Sequence, residues 1–198
     1  MKTLLTLCTA FLLTACACTK NSKPILNEPL PPATQTGANT FGCTLNGQVF
    51  VPNKAIGNTM PEFAIRVYGY YENTSNYSKR IYARRGYHPI NILWIDIYIY
   101  QINLKNVDIY ILGNAIAESS TYEQPFNNYI LCQAKNKASK WVLYSSYDNS
   151  GKITITRWDK DNMILSGTFS GKLKAIEGDE IIEIKDGRFD INLKTLQP

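Results

Sequence analysis

The stretch Met163-Ile164-Leu165-Ser166-Gly167-Thr168-Phe169-Ser170-Gly171-Lys172-Leu173 decides the fold class. Met163, Leu165, Phe169 and Leu173 share one side with Gly167 and Gly171, and Ser166, Thr168, Ser170 and Lys172 take the other. A period of two is the side-chain period of a strand, not of a helix. One apolar and one hydroxyl-rich face describes an antiparallel strand with a single side on the core. Glycine inside such a pattern marks a bulge or a close approach of neighbouring chains.

The same alternation extends outward. Ile153 and Ile155 oppose Thr154 and Thr156 in Lys152–Trp158, and Asp159-Lys160-Asp161-Asn162 supplies the turn before Met163. Glu180–Ile184 and Arg188–Lys194 read as two strands joined at Lys185-Asp186-Gly187, with Phe189, Ile191 and Leu193 inward. Toward the N-terminus, strands are expected at Lys140–Ser145, Tyr129–Gln133, Asp108–Leu112, Arg80–Arg84 and Ala64–Tyr70, with Glu72–Lys79 as a polar loop. Ile90–Gln101 is the longest run; it is apolar on one face and carries Trp94, Asp96, Tyr98 and Tyr100 on the other, as a central strand does. Phe41–Leu45 and Gln48–Val51 flank Asn46-Gly47, a type I′ hairpin signal. Asn114–Gln124 has room for one short helical turn at most. About ten or eleven strands with regular turn signals predict an all-β antiparallel sandwich, or alternatively a lipocalin-like β-barrel.

Composition agrees. The chain has 198 residues, 44% of them hydrophobic and 19% charged, which excludes a wholly disordered polymer. Thirteen tyrosines favour sheet over helix.

The N-terminus reads as an address. Met1-Lys2 is followed by the apolar run Thr3–Thr14, too short to span a bilayer but suited to a secretory signal. Leu13-Thr14-Ala15-Cys16 resembles a bacterial lipobox, so residues 1–15 are expected to be removed and Cys16 acylated. Cys18 lacks the aliphatic residue three positions back, which leaves Cys16 preferred. Several acyl chains hold a protein on a membrane where one alone is marginal. Residues 16–39, with Pro24, Pro29, Pro31 and Pro32, read as a flexible tether of about 25–30 Å reach, and the β domain is expected over 40–198.

Leu30–Cys43, followed by Leu45-Asn46-Gly47-Gln48-Val49-Phe50-Val51-Pro52, resembles the opening of small uncharacterised lipoproteins from Bacteroidetes. Gly151–Thr156, Leu165–Ser170 and Ile184–Asp190 resemble their closing hairpins, whereas Lys54–Ser150 is less distinctive. The resemblance implies an all-β body behind a lipobox and adds no catalytic residue. In such lipoproteins an acidic run after the anchor goes with export to the cell surface. Ala17-Cys18-Thr19-Lys20 has none, which favours a periplasm-facing place on the outer membrane.

Chemistry leaves few traces. His88 is the only histidine and precedes Pro89; no G-x-S-x-G elbow accompanies it, and it reads as a loop imidazole. Neither C-x₂-C nor Cys/His spacing suggests a metal centre, and no cofactor loop occurs. Cys43 and Cys132 are either a disulfide, worth about 4–5 kcal/mol in the chain-entropy view, or two buried thiols. The aromatic set Trp94, Asp96, Tyr98 and Tyr100 is the candidate ligand surface, with Arg66 or Arg84 as a potential cap for Asp96. Basic residues occur in short groups with no nucleic-acid signature. The leading reading is therefore a lipid-anchored, noncatalytic binding module with an envelope protein or glycan as partner. A small-ligand carrier with a barrel cavity and a carboxylate-dependent hydrolase are the alternatives.

Overall fold

Asn46 and Gly47 both hold positive φ, 48° and 78°, the backbone that a type I′ turn demands. They close the hairpin between β1 (Thr40–Leu45) and β2 (Gln48–Phe50). The Asn46 side chain accepts from Glu183 N at 2.8 Å, and Asn46 N donates to Glu183 O at 2.9 Å, which stitches the turn to the neighbouring strand. The computed structural model describes residues 29–53, 64–73, 76–85, 93–102, 108–115 and 127–196.

Eight further strands follow: β3 (Ile65–Asn73), β4 (Asn76–Arg85), β5 (Leu93–Ile102), β6 (Asp108–Ile111), β7 (Tyr129–Lys135), β8 (Trp141–Asp159), β9 (Ile164–Ala175) and β10 (Ile181–Asn192). All pair antiparallel in one ten-stranded sheet of order β2-β1-β10-β9-β8-β7-β5-β4-β3, with β6 on β8 beyond the end of β7. The sheet curls into a half-barrel, so the all-β antiparallel reading holds in a form between sandwich and barrel. Curling brings distant strands together. Asn53 N donates to Arg84 O and Arg85 Nη1 to Val49 O, both at 3.1 Å, which joins the end of β2 to the end of β4. Among the described residues no helix is long and apolar enough to cross a membrane.

One hydrophobic core fills the concave side and draws on both ends of the sheet, from Phe41 and Phe50 to Val67 and Ile81. The alternation of Met163–Leu173 explains the packing. Leu165, Phe169 and Leu173 are buried inward, and the Phe189 ring lies where a Cβ on Gly167 would sit, 2.5 Å from that position. Phe169 covers Gly187 in the same way and stands 5.1 Å from Phe41. These glycines leave room for rings on the next strand.

Several boundaries differ from the sequence expectation. Lys185-Asp186-Gly187 is a bulge rather than a turn, because Asp186 at φ 51° absorbs one extra residue and both halves continue as β10 along β9 and β1. Lys140–Ser145 and Lys152–Trp158 likewise merge into the 19-residue β8, interrupted by a register shift between Ser146 and Gly151. Glu72–Lys79 is mostly strand, since β3 and β4 pair up to Asn73 and Asn76.

The folded body also begins before Thr40. Asp190 is 1% exposed although it lies on the convex side, because residues 34–38 wrap over it. Its carboxylate accepts from Thr34 Oγ1 at 2.6 Å, Thr36 N at 2.9 Å, Gly37 N at 2.8 Å and Ala38 N at 3.1 Å, and from Ser166 Oγ at 2.7 Å. Arg157 donates to Gln35 O and Arg188 to Pro31 O. The last part of the expected tether is thus a strap hydrogen-bonded to β8 and β10. The remainder of it, with Cys16, Cys18 and the segment 1–15, lies outside the described residues.

Candidate functional site

Three adjacent strands, β3, β4 and β5, each alternate an aliphatic inner side with an aromatic or cationic outer side. Register places Arg66 beside Tyr82 and Tyr82 beside Asp96. The next row holds Tyr68, Arg80, Tyr98 and Tyr129, and the row on the other side holds Arg84, Trp94 and Gln133. The convex face is therefore a checkerboard of arginines and rings.

Its organisation begins with a buried charge. Asp96 is 0% exposed and receives a bidentate grip from Arg80, whose Nε donates to the two oxygens at 2.9 and 2.8 Å while Nη2 closes the fork. Burial pushes the Asp96 carboxyl above the ordinary carboxylate range, against the opposing pull of Arg80. A buried carboxylate without such a partner costs several kcal/mol, which is why Arg80 lies flat on it. The cap is Arg80 rather than Arg66 or Arg84: Arg80 and Arg84 both sit one diagonal step from Asp96 on the adjacent strand, and the Arg80 guanidinium is the one that forks onto the carboxylate. With both oxygens engaged, Asp96 serves as a counter-ion.

The rings are fixed as well. Trp94 donates from Nε1 to Gln133 Oε1 at 3.2 Å and packs on Tyr82 with centroids 5.7 Å apart. Tyr98 is 1% exposed and stacks on Tyr129 at 5.1 Å, so it supports the sheet instead of facing solvent. Tyr100 is half-buried, and its backbone N donates to Asn128 Oδ1 at 2.9 Å. Tyr82 lies within electrostatic reach of Arg84, Asp96, Tyr68 and Arg80, and burial is the main cause that raises its hydroxyl. Tyr68 is the most exposed ring here, at 40%.

Of the four residues expected to form a ligand surface, only Trp94 and Tyr100 keep partial exposure, while Asp96 and Tyr98 are buried beneath it. Arg66, Tyr68, Arg80, Tyr82 and Arg84 complete the face from β3 and β4. Their signal in the sequence is the run Arg80-Ile81-Tyr82-Ala83-Arg84, in which every second residue is cationic or aromatic.

Cys43 and Cys132 are free thiols, both fully buried on the inner side of β1 and β7. Burial pushes both far above the usual thiol range, and the charge of Cys43 adds to the rise at Cys132. The disulfide weighed from sequence is not formed in this structure. His88 lies outside the described residues. Among the described residues no group of three or more His, Cys, Asp or Glu gathers. No family model, curated protein or solved structure matches this chain.

Proposed function

We propose that this chain is a lipid-anchored envelope module, held to the outer membrane through Cys16 and facing the periplasm, that binds acidic glycan noncatalytically. The observation that carries the reading is the convex face of β3-β4-β5. Arg66, Arg80 and Arg84 stand there among Tyr68, Tyr82 and Trp94, and Arg80 is held by Asp96. Guanidinium groups recognise carboxylated or sulfated sugars through forked hydrogen bonds. Aromatic planes bearing a polar edge stack on sugar rings and keep their hydrogen bonds.

The test is binding of the purified full chain to a uronate polysaccharide and to a neutral glucan, with and without 0.5 M salt. An Arg66→Ser/Trp94→Ala double variant is expected to lose at least tenfold in affinity for the acidic polymer, and salt to weaken the wild type. Equal binding of both polymers, or unchanged affinity in the double variant, refutes the reading. The anchor is checked separately, since Cys16→Ser should abolish palmitate labelling and membrane retention.

A further inference from the structure

The hydroxyl-rich outer side of β8 and β9 is the floor of a hollow. Register sets Thr154, Thr168 and Arg188 in one row across β8, β9 and β10, with Lys152 and Ser170 paired in the next row. Neighbouring strands lie about 4.8 Å apart, so these side chains stand close together. Ala33 of the strap adds a wall, and the space enclosed is about 290 Å³. That volume is at the small end of ligand pockets.

The hollow is rich in donors and short of acceptors. Arg188 is half-buried and pinned from two sides: Nε donates to Asp186 O at 3.0 Å in the bulge, and Nη1 to Pro31 O at 3.3 Å in the strap. Both acceptors are neutral carbonyls, so they orient the guanidinium without cancelling its charge. Its Nη2 has no acceptor among the described residues. Lys152 is exposed, and among the described residues neither it nor Arg188 forms an ion pair, with Asp186 on the rim or with any other acid. The hydroxyls of Thr154, Thr168 and Ser170 have no hydrogen-bond partner among the described residues either.

We infer that this hollow binds a phosphomonoester group, with Lys152 and Arg188 Nη2 meeting its charge and the Thr154, Thr168 and Ser170 hydroxyls donating to its oxygens. A carboxylate would leave most of these donors unmet, whereas a phosphomonoester brings three acceptor oxygens on one centre and charge enough for two cations. Beyond Lys152 the bank is apolar. Ile109 and Ile111 of β6 stand directly opposite Thr154 and Lys152 on the same outer side and are 56% and 50% exposed. A soluble ester and a lipid headgroup both present this phosphate, and the isoleucines offer a surface to an acyl chain in the second case. The hollow is on different strands from the arginine face of β3-β4-β5 and does not depend on the glycan reading.

The experiment titrates glycerol 3-phosphate, dihexanoyl phosphatidic acid below micelle formation, dihexanoyl phosphatidylcholine and acetate into the full chain at constant ionic strength, read by calorimetry. Saturable binding of glycerol 3-phosphate is expected, with none of phosphatidylcholine or acetate. Tighter binding of the phosphatidic acid supports the site with a lipid as its source, and equal binding supports it with a soluble ester. Lys152→Met and Arg188→Gln should each weaken binding about tenfold, and Thr168→Val about threefold. Lys152 and Thr168 are exposed, so their variants test the site with the fold kept even where Arg188→Gln loosens the strap. Lys172, exposed on the same side of β9 but outside the hollow, is the control, and Lys172→Met should bind like wild type, as should Arg66→Ser/Trp94→Ala. No saturable response to either monoester, an equal response to acetate, unchanged affinity in both Lys152→Met and Thr168→Val, or an equal loss in Lys172→Met overturns the assignment.

Discussion

Replacing Asp190 with Asn tests whether the strap belongs to the folded body. Burial alone would raise the Asp190 pKa, but the hydrogen bonds from Thr34, Ser166, Ala38 and Gly37 outweigh it and hold the carboxyl down at about 2. Set against an ordinary value of 3.8, that depression corresponds to about 2 kcal/mol of stability at neutral pH. The sign follows from the direction of the shift. A depressed carboxyl stabilises the folded state above its unfolded pKa, and the contribution is lost as pH falls from about 5 through about 2. An amide in this position removes the charge and points an N–H₂ toward groups that are themselves donors. The expected cost of Asp190→Asn is thus about 2–4 kcal/mol at pH 7. Urea unfolding at pH 7 and pH 3 measures both effects, and the variant should show a flatter acid limb than wild type. Limited proteolysis should cut within residues 31–38 much faster in the variant. A loss below about 0.5 kcal/mol, or an unchanged acid limb, would refute the account of Asp190 as the clasp.

Arg80→Met should destabilise by about 3–5 kcal/mol in urea because it strands a buried carboxylate, whereas Arg80→Met/Asp96→Leu should recover most of the loss; a double variant no better than the single one contradicts the ion-pair reading. Gly167→Ala places a methyl against the Phe189 ring and the Thr154 carbonyl, and calorimetry should register about 1–3 kcal/mol lost. Cys43 and Cys132 should resist iodoacetamide in the native protein and both react after unfolding in guanidinium, because thiols held far above neutral pH expose no thiolate. Mass spectrometry that finds either one labelled natively, or the two bonded to each other, would refute that.

The candidate face was half legible. Trp94 and Tyr100 follow from the alternation of β5, and the expectation that β5 is a central strand is met by β4 on one side and β7 on the other. The sequence suggests Arg66 and Arg84 only as caps for Asp96 and gives no such role to Arg80, because all three come from β3 and β4, and only the register tells that Arg66, Arg80 and Arg84 stand beside Tyr82, Tyr98 and Trp94. Asp96 looks the same in the sequence whether it faces solvent or is locked under Arg80.

Local chemistry settled what is local. Period-two alternation made the chain all-β, Asn46-Gly47 specified a hairpin, and the interior glycines of Met163–Leu173 announced close packing. Each depends on neighbours within a few residues, where backbone sterics and side-chain period dominate. The tertiary structure alone decided that Lys185-Asp186-Gly187 bulges instead of turning, that residues 34–38 are captured by Asp190, and that one curled sheet replaces two flat ones. Those outcomes come from partners more than a hundred residues apart, as Thr34 and Asp190 are. Which distant donors satisfy a buried carboxylate, and which strand edge meets which, is set by the closing of the whole sheet.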